Sequence, residues 1–134
     1  MRLLLDTHAF IWIIQGIDSL SDAARSSIED SANQKLISIA SLWEIATKVS
    51  IGKLEGEMPM TELVEKQVLG NAFGILSIAP EPLNELAKLP FHHKDPFDRL
   101  IIAQSLAEDM PIVSTDRAFR GYSAQLVCLE RSKG

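Results

Sequence analysis

Four acidic residues, Asp6, Glu44, Asp98 and Asp116, stand where apolar runs give way to helical patterns. Carboxylates gathered in one place suit hard divalent cations, Mg²⁺ or Mn²⁺, which prefer oxygen ligands and keep several waters. The chemistry such a centre serves is phosphodiester hydrolysis, in which one metal activates water and a second, ~4 Å away, stabilises the leaving oxygen. Three scattered histidines and one cysteine offer no zinc-ligand spacing.

Each acid also has an ordinary structural explanation. Asp and Glu are favoured at helix N-termini by capping and by the helix dipole. Ser41 and Glu44 form an S-x-x-E capping box, and Glu44 precedes Lys48 by one helical turn, a common surface pair. Asp95 with Pro96 reads as an N-cap followed by a first-turn proline. Asp6 is the hardest to explain away, because it follows apolar Leu3, Leu4 and Leu5, where a carboxylate needs a strong partner. Removing one acid from such a cluster is expected to relieve like-charge repulsion in the metal-free protein.

The remaining polar residues add less. His8, His92 and His93 are not paired with a nucleophile at any telling spacing; His8 reads as a packed or capping residue and the other two as solvated loop residues. An aspartyl-phosphatase reading wants a second Asp at position 8, where His8 stands. Lys48, Lys53, Lys94, Arg99, Arg117 and Arg120 lie near the proposed edge, with Arg99 and Arg117, each beside a candidate ligand, the better candidates for phosphate contact. Trp12 and Trp43, set among apolar helical positions, read as core residues.

The elements that must position these acids alternate short apolar runs with longer helical patterns, the rhythm of a parallel sheet with crossover helices. Strands are expected near 2–5, 35–38, 75–78, 111–114 and 125–128. Helices are expected over 7–15, 21–31, 42–53, 61–73, 80–88 and 96–108. The fold class is therefore α/β, with helices flanking a short, mainly parallel sheet. In such sheets ligands bind beyond the carboxyl ends of the strands, and all four acids fall at junctions of that kind.

A chain of 134 residues with 46% hydrophobic and 23% charged residues fits one folded domain, 1–134. The lone Cys128 falls in an expected strand and suits a reducing compartment. No apolar run approaches the ~18 residues that span a bilayer, so a cytoplasmic protein is expected. The net charge of −5 argues against a broad basic surface for nucleic acid, so any RNA contact must be local, with bound cations offsetting the acids.

Four segments together resemble the PIN-domain nucleases, and specifically the VapC-type toxins of bacterial toxin–antitoxin pairs. They are Leu3 to Trp12 (LLLDTHAFIW), Ile37 to Lys48 (ISIASLWEIATK), His93 to Gln104 (HKDPFDRLIIAQ) and Pro111 to Tyr122 (PIVSTDRAFRGY). The resemblance implies a Rossmann-like three-layer fold and a metal site on Asp6, Glu44, Asp98 and Asp116. It also implies a homodimer and a small antitoxin partner whose C-terminal segment docks near the site. The expected activity is metal-dependent endoribonuclease; a non-catalytic RNA-binding or scaffold module of the same fold, or a housekeeping RNA-processing nuclease without an antitoxin, are the alternatives.

Overall fold

The computed structural model describes residues 1–15, 22–52, 59–90, 95–114 and 126–128. Five strands, β1 (Arg2–Leu5), β2 (Gln34–Ser38), β3 (Gly74–Leu76), β4 (Ile112–Ser114) and β5 (Leu126–Cys128), form one sheet in the order β3-β2-β1-β4-β5. Every pairing is parallel. β1 is therefore central and covered on both faces, which explains why it reads as an unbroken leucine run rather than an alternation. Leu3, Leu4 and Leu5 are all buried.

Helices cover both faces. Leu3 and Leu5 pack with Phe10 of α1 (Thr7–Ile14), Leu42 and Ile45 of α3 (Ile39–Ser50), Val68 and Phe73; Ile28 of α2 (Asp22–Glu29) joins them. Leu4 points the other way, into Leu100, Ile101, Ile102 and Ala103 of α6 (Pro96–Glu108), with Leu86 of α5 (Pro80–Lys88) behind. These are the three layers expected from the sequence. Among the described residues, no helix is long and apolar enough to cross a membrane.

Two helices depart from expectation. α3 starts at Ile39 rather than near residue 42, directly on the end of β2, because the Ser38 hydroxyl accepts the Ala40 N–H at 3.0 Å and serves as N-cap. Ser41 is thus the third helical residue and Glu44 the sixth, so neither forms a capping box. The 61–73 region is not one α-helix. A turn, α4 (Met60–Leu63), widens into a π turn over Val64–Val68, tightens into a 3₁₀ turn over Leu69–Asn71, and ends at Ala72 with φ +60°. By contrast α5 and α6 run over the expected residues, each opened by a proline in its first turn.

The chain builds β2 and β3 on one side of β1, then β4 and β5 on the other. The direction reverses between β1 and β4. In open parallel sheets such a reversal marks the crevice, outside the carboxyl ends of the two strands, where ligands bind.

Candidate active site

Asp6 immediately follows β1 and Ser114 ends β4, so the two strands flanking the crevice each contribute a polar group to it. Asp6 is the N-cap of α1: one carboxylate oxygen accepts the Ala9 N–H at 2.7 Å, and the other accepts the Ser114 hydroxyl at 2.5 Å. The residue is 1% exposed. Hydrogen bonds to the ionised form and the positive end of a helix are the features that allow a carboxylate to stay charged in such a place.

Thr7, the next residue, reaches to the second acid. Its hydroxyl donates to Glu44 Oε1 at 2.6 Å and meets the Ser41 hydroxyl at 3.0 Å. Glu44 Oε2 is 2.8 Å from Lys48 Nζ on the following turn of α3. Glu44 is itself only 2% exposed. Lys48 is held above its ordinary pKa of 10.5, chiefly by its hydrogen bond to Glu44, and further by the negative fields of Glu44, Asp95 and Asp98. These three acids therefore share one negative region into which the ammonium group reaches.

Asp98 enters from α6 and is 8% exposed. Asp95 caps that helix, with Oδ1 accepting from Phe97 N at 2.9 Å and Asp98 N at 3.1 Å. α6 is tied to the start of α3 by Gln104, which accepts from the Ser38 hydroxyl at 2.5 Å and donates to the Ser77 carbonyl at 3.3 Å. A fully buried side-chain amide thus fixes the helix that carries Asp98 against the helix that carries Glu44.

Other candidates fare differently. Arg99 is 7% exposed and its guanidinium donates to the carbonyls of Pro90 at 3.0 Å and Leu89 at 3.4 Å, so it clamps the segment before α6 rather than standing at the surface. His8 is exposed on α1, not packed. Trp12 packs against the core as expected, whereas Trp43 is 59% exposed and meets Phe97 edge to face at 5.0 Å. Asp116, Arg117, Arg120, Lys53, Lys94, His92 and His93 lie outside the described residues.

Three polar partners were not singled out from the sequence: Thr7, Ser114 and Gln104. Each carried a faint signal. Ser114 ends an apolar strand, Thr7 adjoins the most suspicious acid, and Gln104 interrupts the apolar run 100–107 of the long helix. As for a metal, the donor set is all oxygen, which fits Mg²⁺ or Mn²⁺ better than zinc. A cation, the Lys48 ammonium, already reaches into the field of Glu44, Asp95 and Asp98. Among the described residues, no three His, Cys, Asp or Glu side chains converge tightly enough to form a metal-binding group by themselves.

Solved structures share this architecture. VapBC2 from Rickettsia felis, solved bound to a DNA fragment from their promoter, matches with a TM-score of 0.74 and 17% identity over 97% of this chain and 100% of that one. VapBC-1 from nontypeable Haemophilus influenzae matches with a TM-score of 0.69 and 15% identity, covering 96% and 98%. A toxin–antitoxin complex from Klebsiella pneumoniae matches with a TM-score of 0.63 and 19% identity, covering 93% and 95%. At such identities the likeness is one of fold. No curated protein matches the chain in sequence. The PIN domain family model, however, matches residues 3–124, a span that contains all four acids, strands β2, β3 and β4, and all of β1 but Arg2. On that match the chain belongs to the PIN-domain family.

Proposed function

We propose that this protein is a metal-dependent endoribonuclease and the toxin of a toxin–antitoxin pair. The observation that carries the reading is the burial of three carboxylates, Asp6, Glu44 and Asp98, on the elements that meet at the sheet's switch point. Buried carboxylates cost stability unless cations and hydrogen bonds offset them, and a surface without a task for them would not keep three. PIN-domain nucleases generally use a divalent metal, and family membership supports the same here.

Asp6, Glu44 and Asp98, with Asp116 as the fourth, would hold Mg²⁺ or Mn²⁺. When bound, the cation supplies an activated water and charge neutralisation at the phosphate. The chain's own residues prepare that site. Ser114 and the Ala9 N–H fix both oxygens of Asp6, so its carboxylate has one orientation. Thr7 does the same for Glu44, leaving Oε2 to Lys48. Lys48 balances part of the negative charge before a phosphate arrives and lowers the repulsion that an anionic substrate meets.

The partner proposals follow from the same reading. The neighbouring structures include toxin–antitoxin complexes, which supports a small antitoxin here. A basic side chain from its C-terminal segment would be drawn to the acidic crevice. A homodimer through exposed apolar helical positions such as Leu69 and Leu83 is likewise proposed.

The deciding experiment is cleavage of single-stranded RNA by purified protein with Mg²⁺ or Mn²⁺ and with EDTA. Metal-dependent cleavage lost in Asp6→Asn and Asp98→Asn is expected; undiminished cleavage in EDTA refutes the mechanism. RNA binding without any cleavage would return the chain to a non-catalytic module. Growth arrest on expression, relieved by Asp6→Asn and by a copurifying small protein, separates a toxin from a housekeeping nuclease.

A further inference from the structure

An aromatic pair stands next in the chain to two of the candidate carboxylates. Trp43 is a large side chain left 59% exposed, although the sequence places it among core-like positions. It precedes Glu44 in the chain, and Phe97 precedes Asp98. The two rings meet at 5.0 Å with planes at 87°, joining α3 and α6, the helices that carry those two carboxylates. An edge-to-face contact occupies at most one face of the indole. The rest of Trp43 faces solvent, one residue along α3 from Glu44.

We propose that the Trp43–Phe97 pair is a nucleobase-stacking platform, holding a base of single-stranded RNA beside the phosphate addressed by Asp6, Glu44 and Asp98. The proposal rests on the nuclease reading above and names how its substrate is gripped. The charge of the protein favours this occupant. With a net charge of −5, phosphate attraction is a weak source of affinity. Arg99, the cation nearest to Asp98 in the chain, is engaged with the Leu89 and Pro90 carbonyls. Stacking needs no positive charge and accepts every base, so it supplies binding that a net-negative protein does not draw from its overall charge. Because Trp43 and Phe97 are chain neighbours of the site carboxylates, the platform and the scissile phosphate keep a fixed separation, as adjacent parts of one strand require.

The test uses the full chain and short single-stranded RNA, either complete or with abasic riboses around the scissile position. Trp43→Leu should raise KM about tenfold or more with kcat nearly unchanged, the loss expected for one stacked base. Trp43→Phe should recover most of it. On the abasic strand Trp43→Leu and wild type should be indistinguishable. The chain has two tryptophans. In Trp12→Phe, therefore, the fluorescence of Trp43 alone should be quenched by the complete strand and not by the abasic one. An unchanged KM, or equal quenching by both strands, overturns the proposal. So does a Trp43→Leu effect confined to dimer mass in light scattering or to capture of a small protein partner, which would make the pair a protein-docking surface. If the wild type cleaves no RNA, the nuclease reading fails by itself, and the quenching experiment still decides the platform.

Discussion

Two glutamate–lysine pairs at the same helical spacing sit in opposite surroundings. Glu62 and Lys66 meet at 2.6 Å between α4 and the π turn that follows it, with side chains 41% and 60% exposed. Glu44 and Lys48 meet at 2.8 Å on α3, where the glutamate side chain is 3% exposed and the lysine 34%. Water screens the first pair, so it contributes what exposed helical pairs usually do, about 0.3–0.5 kcal/mol. In the second pair one partner cannot be rehydrated if the other leaves. The pair at Glu44 also connects outward, to Thr7, the residue beside Asp6, and through the field of Asp98 to α6. Identical local chemistry thus becomes an isolated surface pair in one region and part of a buried acidic network in the other.

The sharpest way to break this comparison is to remove a carboxylate. Asp6→Asn and Asp98→Asn are expected to lower RNA cleavage by more than the ~10- to 100-fold that loss of an outer-shell partner costs. The two should differ in stability. Asp6 accepts from both Ala9 N and Ser114, and an asparagine that keeps its oxygen on Ala9 N must reverse the Ser114 bond, with the hydroxyl accepting from the NH₂, and gives up the charge assistance of both, a loss of about 1–3 kcal/mol. This loss is expected to exceed the relief of repulsion that the clustered acids suggest. Urea denaturation of the metal-free proteins checks it, and an Asp6→Asn protein more stable than wild type would show the two hydrogen bonds to be unimportant.

Thr7→Val is the next largest. The variant keeps the shape but takes the donor from Glu44 Oε1, and hydrogen bonds to charged groups contribute about 1.5–3 kcal/mol. Metal affinity should fall by about 10- to 100-fold, as for other outer-shell losses, and Thr7→Ser should restore it. Calorimetric titration with Mn²⁺ measures this, and equal affinities in Thr7→Val and wild type would contradict the role assigned to Thr7.

Lys48→Met follows, with an expected cost of about 1 kcal/mol, discounted because the ammonium is one-third exposed. Its pH dependence has a definite sign. The pKa of Lys48 is raised in the folded protein above its ordinary 10.5. The stabilisation is therefore fully present below that ordinary value and is lost as pH rises through the raised one. Denaturation of wild type and Lys48→Met from neutral to strongly alkaline pH should give curves that converge at the alkaline end. A constant gap across that range would mean that the ion pair is not its source.

The smallest effect is the control. Lys66→Met, identical in chemistry and spacing, should shift stability by no more than about 0.5 kcal/mol and leave cleavage untouched. If Lys66→Met and Lys48→Met proved equal in both respects, burial would not be what separates the two regions.

Much of the fold was legible in the sequence where local rules agree with the final structure. α5 and α6 begin at prolines, α6 with Asp95 capping it from the residue before, and α6 is apolar on several sides because it is buried. β1 was placed despite its leucines, since a strand covered on both faces needs apolar residues more than β-branched ones. The start of α3 was less legible. Ile37 and Ile39 flank Ser38 in what reads as the end of a strand, and only the Ser38 hydroxyl turning onto Ala40 N marks the boundary. The π and 3₁₀ turns after Leu63 leave no trace in periodicity over so few residues.

By itself the sequence determined which residues are neighbours along one element: Asp6 with Thr7, Asp95 with the first turn of α6, Glu44 with Lys48 and Glu62 with Lys66 one turn apart. Chain geometry decides these contacts within a few residues, so spacing suffices to read them. Only the tertiary structure decided what surrounds each neighbour. Ser114 meets Asp6, Thr7 meets Glu44, Gln104 meets Ser38 and Phe97 meets Trp43, all across elements remote in the chain. Those meetings set the burial of each carboxylate, and burial governs how strongly a charge is felt. That is why one glutamate–lysine pair belongs to the buried acidic cluster while the other, at the same spacing, stays on the surface.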